Sequence, residues 1–367
     1  MIPRIIARAG HIRSFAVLAA IMISVILCLE MLDHWIVWLV LRFMTGVAIS
    51  GLYTVIESWL NSQASADSRG RILATYTIIT LVAMAGGQAL TNVGPVETAT
   101  PFSLAAVFMA LAIIPVGMTR RLAPAPLEST RIRFRLLYQR SHSAFSGALL
   151  SGLVTGSFWS LGALFASSFS QSPSDVSIFM IVAILGGAIF QDPIGWLSDR
   201  IDRRRVLLYL SMVAVASSVG VAISVQQPWF LPAVLCFGAS AMSLYSVALA
   251  TAADVCAEDE FVEIGTSVLL LNALGGAVAP LVLGPLMSAF GPVALFWSSA
   301  VLCAGFSVLL YALTRTPREV AVDDQVPFNV AATDAAPIGF DLDPRGVEES
   351  PEEVEPLTHP AKPEMAR

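Results

Sequence analysis

Ten runs of about 20 mainly apolar residues recur along the 367-residue chain, each long enough for a helix to cross roughly 30 Å of hydrocarbon. Their expected limits are 15–33, 35–60, 72–93, 101–119, 143–169, 176–197, 206–225, 229–252, 264–289 and 292–313. Lipid offers no partner to an unpaired backbone group, and no run alternates with period two, so each span is expected to be a helix. Composition agrees. Apolar residues make up 56% of the chain and charged ones 13%, about half the charged share of a soluble domain. The expected fold class is an all-α polytopic membrane protein. The first run is followed by others of its kind, so it does not read as a cleavable signal peptide.

The charges between the spans set an orientation. Of the 20 Arg and one Lys, only Arg42 lies within a span. Every other basic residue falls in the N-terminal segment, in alternate loops or in the tail, and the intervening loops hold none. The positive-inside rule then puts both termini in the cytoplasm, as an even number of spans requires. The net charge of −6 belongs to the tail, because residues 316–367 hold 12 acids against four bases. The rest of the chain has 15 acids and 17 bases. The Pro-rich, acidic segment 315–367 lacks the apolar residues to build a core and is expected to be a disordered cytoplasmic tail. Cys28, Cys236, Cys256 and Cys303 lie in or beside apolar runs, with no metal-ligand spacing. They are expected to be packing residues rather than a disulfide framework or a zinc site.

Three further segments complete the domain reading. Residues 1–120 form a helical bundle of four spans, 121–141 a basic cytoplasmic linker, and 142–314 a bundle of six. An unequal split invites a search for internal duplication. GLYTV at 51–55 matches SLYSV at 243–247, with Gly46 and Gly238 in register before them, and Gly86-Gly87 corresponds to Gly275-Gly276. The dense cluster GWLSDRIDRRRV at 195–206 overlays PRIIARAGHIRS at 3–14, placing Arg8 on Arg200 and Arg13 on Arg205.

Gly195, Asp199, Arg200, Arg203 and Arg204 resemble the Gly-x-x-x-Asp-Arg-x-Gly-Arg-Arg signature of the major facilitator superfamily, with Asp202 in place of the later glycine. In the first half Arg8, Gly10 and Arg13 keep part of the pattern, and Ala7 stands where Asp is usual. Arg42, Gly46 and Gly51 resemble the fourth-helix Arg-x-x-x-Gly pattern, and VIESWLN at 55–61 with RGR at 69–71 is similar to a YcaD-like bacterial branch. The resemblance covers residues 1–314 and implies a two-bundle fold with ten transmembrane helices, four and six, in place of twelve. By that register the first two helices precede Met1, and a mis-assigned start is favoured over a true truncation.

The resemblance also implies a gate at the cytoplasmic face, formed by Gly195, Asp199, Arg200, Arg203 and Arg204 with Arg8, Gly10, Arg13, Glu57, Arg69 and Arg71. Gly195 would let two helices approach closely, and Asp199 would accept hydrogen bonds from a neighbouring helix N-terminus. The bland reading is a positive-inside anchor, which accounts for the arginines but not for the Gly-Asp spacing. Glu57, an acid within a span, invites a role in an ion pair or in proton coupling; the alternative is a helix-end acid reaching water. Arg42 lies about two turns from the outer end, where a lone arginine costs about 3 kcal/mol or more unless it faces protein or water. It could bind an anionic substrate group, sense a proton carrier, or act as a strut with Glu30, Asp33 or a backbone carbonyl. Tyr53, Gln88, Trp159, Tyr245 and Asn272 are further candidates for substrate or coupling contacts, although helix packing explains each one singly. All four histidines lie at or beyond helix ends, so no histidine relay is expected.

These readings lead to a secondary active transporter of a small solute in the bacterial inner membrane, working by alternating access. Proton coupling is expected, and efflux is favoured over uptake. The alternative is a truncated, non-transporting fragment. The chain has no Gly-x-Ser-x-Gly elbow, His-Glu-x-x-His helix or P-loop, which weighs against a membrane-embedded enzyme or an ATP-driven pump. The expected partners are a small-molecule substrate, protons and the lipid bilayer. No nucleic acid, cofactor or metal is expected, and the protein is expected to act as a monomer.

Overall fold

The computed structural model describes residues 9–32, 34–63, 69–94, 98–118, 132–170, 172–257, 260–316, 320–328 and 340, without the side chains of residues 62, 63, 69 and 70. Eleven α-helices are present among them. The first four are α1 (His11–Met31), α2 (Trp35–Gln63), α3 (Arg69–Leu90) and α4 (Ala99–Gly117). A short α5 (Phe134–Arg140) lies in the linker. The last six are α6 (His142–Ser167), α7 (Pro173–Ser198), α8 (Arg203–Ile223), α9 (Phe230–Ala253), α10 (Phe261–Phe290) and α11 (Ala294–Leu313). All but α5 are long and apolar enough to cross a membrane, so the ten expected spans are ten helices.

Local chemistry sets several helix ends. Ser141 caps α6 by accepting from the Ala144 N–H at 3.1 Å, and Asp202 caps α8 by accepting from the Arg204 N–H at 3.0 Å. Gly291, at φ +85°, ends α10 in a conformation that a side chain would strain, and Pro292 follows it. Helix α5 is unexpected within the segment read as a linker. It is anchored by Leu137, which is buried, and by flanking arginines paired with the start of α10.

The second bundle is tightly built. Helix α6 packs on α10, α7 on α9, and α8 on both α9 and α11. Backbones approach where glycines leave room. A Cβ on Gly152 would lie 1.9 Å from the Asn272 carbonyl oxygen, and one on Gly156 would lie 2.2 Å from the Gly276 Cα. On the neighbouring pair, a Cβ on Gly238 would lie 2.0 Å from the Ala183 carbonyl oxygen. Small residues of this kind are the usual interface between helices in lipid, where no hydrophobic force drives association. Between these pairs sits an aromatic core in which Phe158 meets Phe179 and Phe237, each at 5.6 Å between ring centroids.

The first bundle is sparser. Helix α1 packs on α2 and α4, while α3 packs on α7 of the other bundle. Gly46 and Gly86 match Gly238 and Gly275, which are crowded in the second bundle, yet a Cβ on Gly46, Gly86 or the adjoining Gly87 would meet nothing within 4 Å. The faces of α2 and α3 equivalent to those covered by α7 and α6 are therefore bare among the described residues.

Candidate functional site

The duplication seen in sequence governs how the helices begin. Helix α1 starts at His11 after Gly10, and α8 starts at Arg203 after Asp202, at the same offset that relates Tyr53 to Tyr245 and Gly46 to Gly238. His11 and Arg203 thus hold equivalent places. Both are buried, at 3% and 1% exposure, at the end of their bundle where the arginines gather.

Arg203 is the hub of that end of the second bundle. Its guanidinium pairs with Asp254 at 2.5 Å and with Asp199 at 3.1 Å, and donates to the Ala250 carbonyl at 2.8 Å and to Ser198 Oγ at 3.2 Å. A buried charge is tolerable only with such complete pairing. Arg204 pairs with Asp202 at 2.9 Å and donates to the Leu313 carbonyl at 3.1 Å, which ties α8 to the end of α11. Arg200 stacks on Trp196, its guanidinium carbon 3.6 Å from the ring centroid. These contacts join the motif's Asp199, Arg203 and Arg204 to Asp254, which the sequence did not single out.

Two expectations for this cluster need correction. Gly195 does not bring two helices together. The ring of Phe328, from the C-terminal segment, fills the space, and a Cβ at 195 would lie 2.4 Å from it. Asp199 does not cap a neighbouring helix either, and accepts instead from Arg203 and from the Phe328 N–H at 2.8 Å. Part of the segment expected to be a solvated tail is therefore packed. Residues 317–319, 329–339 and 341–367 lie outside the described residues.

In the first bundle His11 Nε2 bonds Ser58 Oγ at 2.9 Å, beside Glu57, which has no exposed surface. Tyr76 on α3 donates to Glu57 Oε1 at 3.2 Å. The picture of a helix-end acid reaching water is thereby overturned, and His11, at its helix start as expected, belongs to the packed cluster. Arg13 and Arg71 are exposed, while Arg8 and the Arg69 side chain lie outside the described residues.

The remaining candidates are dispersed. Arg42 is exposed on α2 on the face of Gly46, its guanidinium 5.8 Å from the Trp38 ring centroid, and Glu30 is exposed on α1. Asp33 lies outside the described residues. Tyr53 is half-buried on the same face of α2, and Tyr245 is buried in α9. Trp159 meets Phe158 edge-on at 5.5 Å. Asn272 is buried where α6 crosses α10, and its Nδ2 has no hydrogen-bond partner among the described residues. The Gln88 carbonyl accepts from Thr91 Oγ1 at 2.7 Å, next to a junction of the two bundles. There Thr91 and Asn92 bond Ser177 of α7 at 2.8 and 3.1 Å, at the end opposite the arginines. None of these candidates lines the apolar groove of about 580 Å³ between α6, α10 and α11, walled by Leu153, Leu286, Phe290 and Trp297.

A helical chain of two bundles, with an arginine hub on one of them, has counterparts among known proteins. Residues 144–344 match the family model described as Major Facilitator Superfamily. The chain belongs to the major facilitator superfamily. It is similar to the protein called "Uncharacterized MFS-type transporter YcaD" in Escherichia fergusonii, 27% identical over 320 residues, which cover 86% of this chain and 82% of that one. The protein of the same description in Escherichia coli is 28% identical over 322 residues, covering 86% and 83%. Among solved structures the fold is similar to that of the E. coli fucose:proton symporter FucP, with a TM-score of 0.51, 14% identity and coverage of 86% and 87%. This major facilitator protein is thus a multi-pass membrane protein and a secondary transporter, not an enzyme.

Proposed function

We propose that the protein is a proton-coupled transporter that works by alternating access, exporting a hydrophobic or amphipathic small molecule across the bacterial inner membrane. The arginine-rich end and both termini face the cytoplasm in this reading, supported by the confinement of every basic residue except Arg42 to that end or to the segments attached to it. Export of an apolar cargo is supported by the scarcity of charged groups within the spans. The gate comprises Asp199, Arg200, Arg203 and Arg204 in the second bundle and the segment of Arg8, Gly10 and Arg13 with Glu57, Arg69 and Arg71 in the first. Arg42, Gln88, Trp159, Tyr245, Tyr53 and Asn272 are proposed cargo or coupling contacts.

One observation carries the coupling. Glu57 is wholly buried in a spanning helix, held by the Tyr76 hydroxyl beside the His11–Ser58 pair. An acid so placed can exchange a proton with water only when the surrounding helices part, which links protonation to the conformational cycle. In everted vesicles, with an amphipathic dye as cargo, Glu57→Gln should abolish transport driven by a pH gradient and preserve dye exchange. Undiminished pH-driven transport would remove the coupling role. Asp199→Asn should slow turnover without changing expression or topology, and normal turnover would leave the cluster as an anchor alone.

A further inference from the structure

Residues 320–328 cross the arginine-rich end of the second bundle in an orderly way. After the single 3-10 turn Val322–Asp324, the chain extends through Gln325, at φ −71° and ψ 136°. Val326 precedes Pro327, a placement that holds it in the extended region. In an extended strand the N–H and C=O groups of one residue and the N–H of the next but one share an edge. Here that edge faces Arg203 and its two carboxylates. The Val326 N–H donates to Asp254 at 3.0 Å, the Val326 carbonyl accepts from Arg203, and the Phe328 N–H donates to Asp199 at 2.8 Å. Pro327, which has no N–H to offer, falls on the exposed outer edge, where none is needed.

Two phenylalanines pin the segment. Phe328 occupies the space over Gly195 at the end of α7. Phe340 is 4% exposed, meets Phe261 edge-on at 6.0 Å, and sits over Gly265 at the start of α10, where a Cβ would lie 3.1 Å from its ring. Both glycines thus accept an aromatic ring from the tail rather than a helix. Helix α7, which carries the first pin, is also the helix that meets α3 of the other bundle.

We propose that the docked residues of the tail, 320–328 and Phe340, act as an autoinhibitory strap. Phe328 and Phe340 fill the surface over Gly195 and Gly265 that the first bundle must approach when the arginine-rich end closes, so the strap holds that end open and has to leave before the cycle proceeds. Arg203, Asp254 and Asp199 stay paired with one another on release, so only the strap's backbone groups and two rings return to water, which makes the device reversible. The proposal rests on the rocking of two bundles, which a separate measurement at the opposite end tests.

The test uses the full chain with its four native cysteines replaced by alanine and spin labels at Met118→Cys and Arg205→Cys. Both positions are exposed, at the arginine-rich end of opposite bundles. Hydrogen exchange on the same protein follows the Val326 and Phe328 amides. In the otherwise unmodified chain those amides should be protected and the labels far apart. Phe328→Ala with Phe340→Ala should remove the protection and add a population with the labels close together, and the single variants should fall between. A peptide of residues 320–345 added to a chain ended after Thr316 should restore the separated population. Unprotected amides in the unmodified chain would show that the strap does not dock. Loss of protection without any change in label distance would show that it docks but inhibits nothing. Either result overturns the proposal.

Discussion

At the scale of single residues the account turns on Arg203, His11 and Glu57. Arg203 is buried and pairs with two carboxylates, so Arg203→Ala takes from the buried Asp254 its charged partner and should cost about 3–5 kcal/mol. The cost appears as a lowered midpoint of thermal unfolding in detergent, and a midpoint within a degree of the original would refute the buried hub. Arg203 was legible in the sequence because the spacing from Gly195 to Arg204 is a known pattern. Its principal partner was not, since Asp254 lies beyond the span that carries it and only the crossing of α8 and α9 brings the two together. The burial of His11 was not legible for a related reason. A lone histidine at a helix start gives no periodic signal, and only its equivalence to Arg203 shows why it is buried. Phe328 and Phe340 were hidden in a segment whose composition, averaged over 316–367, is that of a disordered chain. A few apolar residues can dock on a preformed surface without building a core of their own.

At the scale of elements the ten spans were legible because lipid demands long apolar runs, and the helix limits agree to within a few residues. Helix α5 was not, because its position depends on Glu260, which precedes α10, and Glu263 within it rather than on its own seven residues. The bond from Arg140, opposed in part by burial, holds the Glu260 carboxyl below its ordinary value. A depressed carboxylate contributes stability above its unfolded value and loses that contribution as pH falls through the folded one. Acidification below the usual carboxylate range should therefore lower the unfolding midpoint, and Arg140→Gln should flatten that part of the profile. Equal slopes in both proteins would exclude the clamp. The glycines give a second element-level contrast. Gly152→Ala must push α6 from the Asn272 backbone and should destabilise the bundle by about 1–3 kcal/mol, whereas Gly46→Ala in this chain should leave the midpoint unchanged. A comparable loss at Gly46 would mean that something covers the bare face of α2.

At the scale of the whole molecule the two bundles share one offset from helix start to Tyr53 and Tyr245, the mark of a duplicated unit. The fold was legible from span count, duplication and motif together. The cargo site was not, because it depends on side chains converging from several helices, and Arg42, Gln88, Trp159, Tyr245 and Asn272 do not converge among the described residues. The clasp of Thr91 and Asn92 on Ser177 joins the bundles at one end while the strap crosses the other. Rocking requires that these ends open in turn. Spin labels at Trp35→Cys and Trp229→Cys, both exposed at the clasp end of opposite bundles, give that end its own distance distribution in liposomes. Compared with the Met118 and Arg205 pair, the account predicts two distances at each end, with the long distance at one end accompanying the short distance at the other. A single unchanging distance at the clasp end, with the strap in place and with it released, would contradict it.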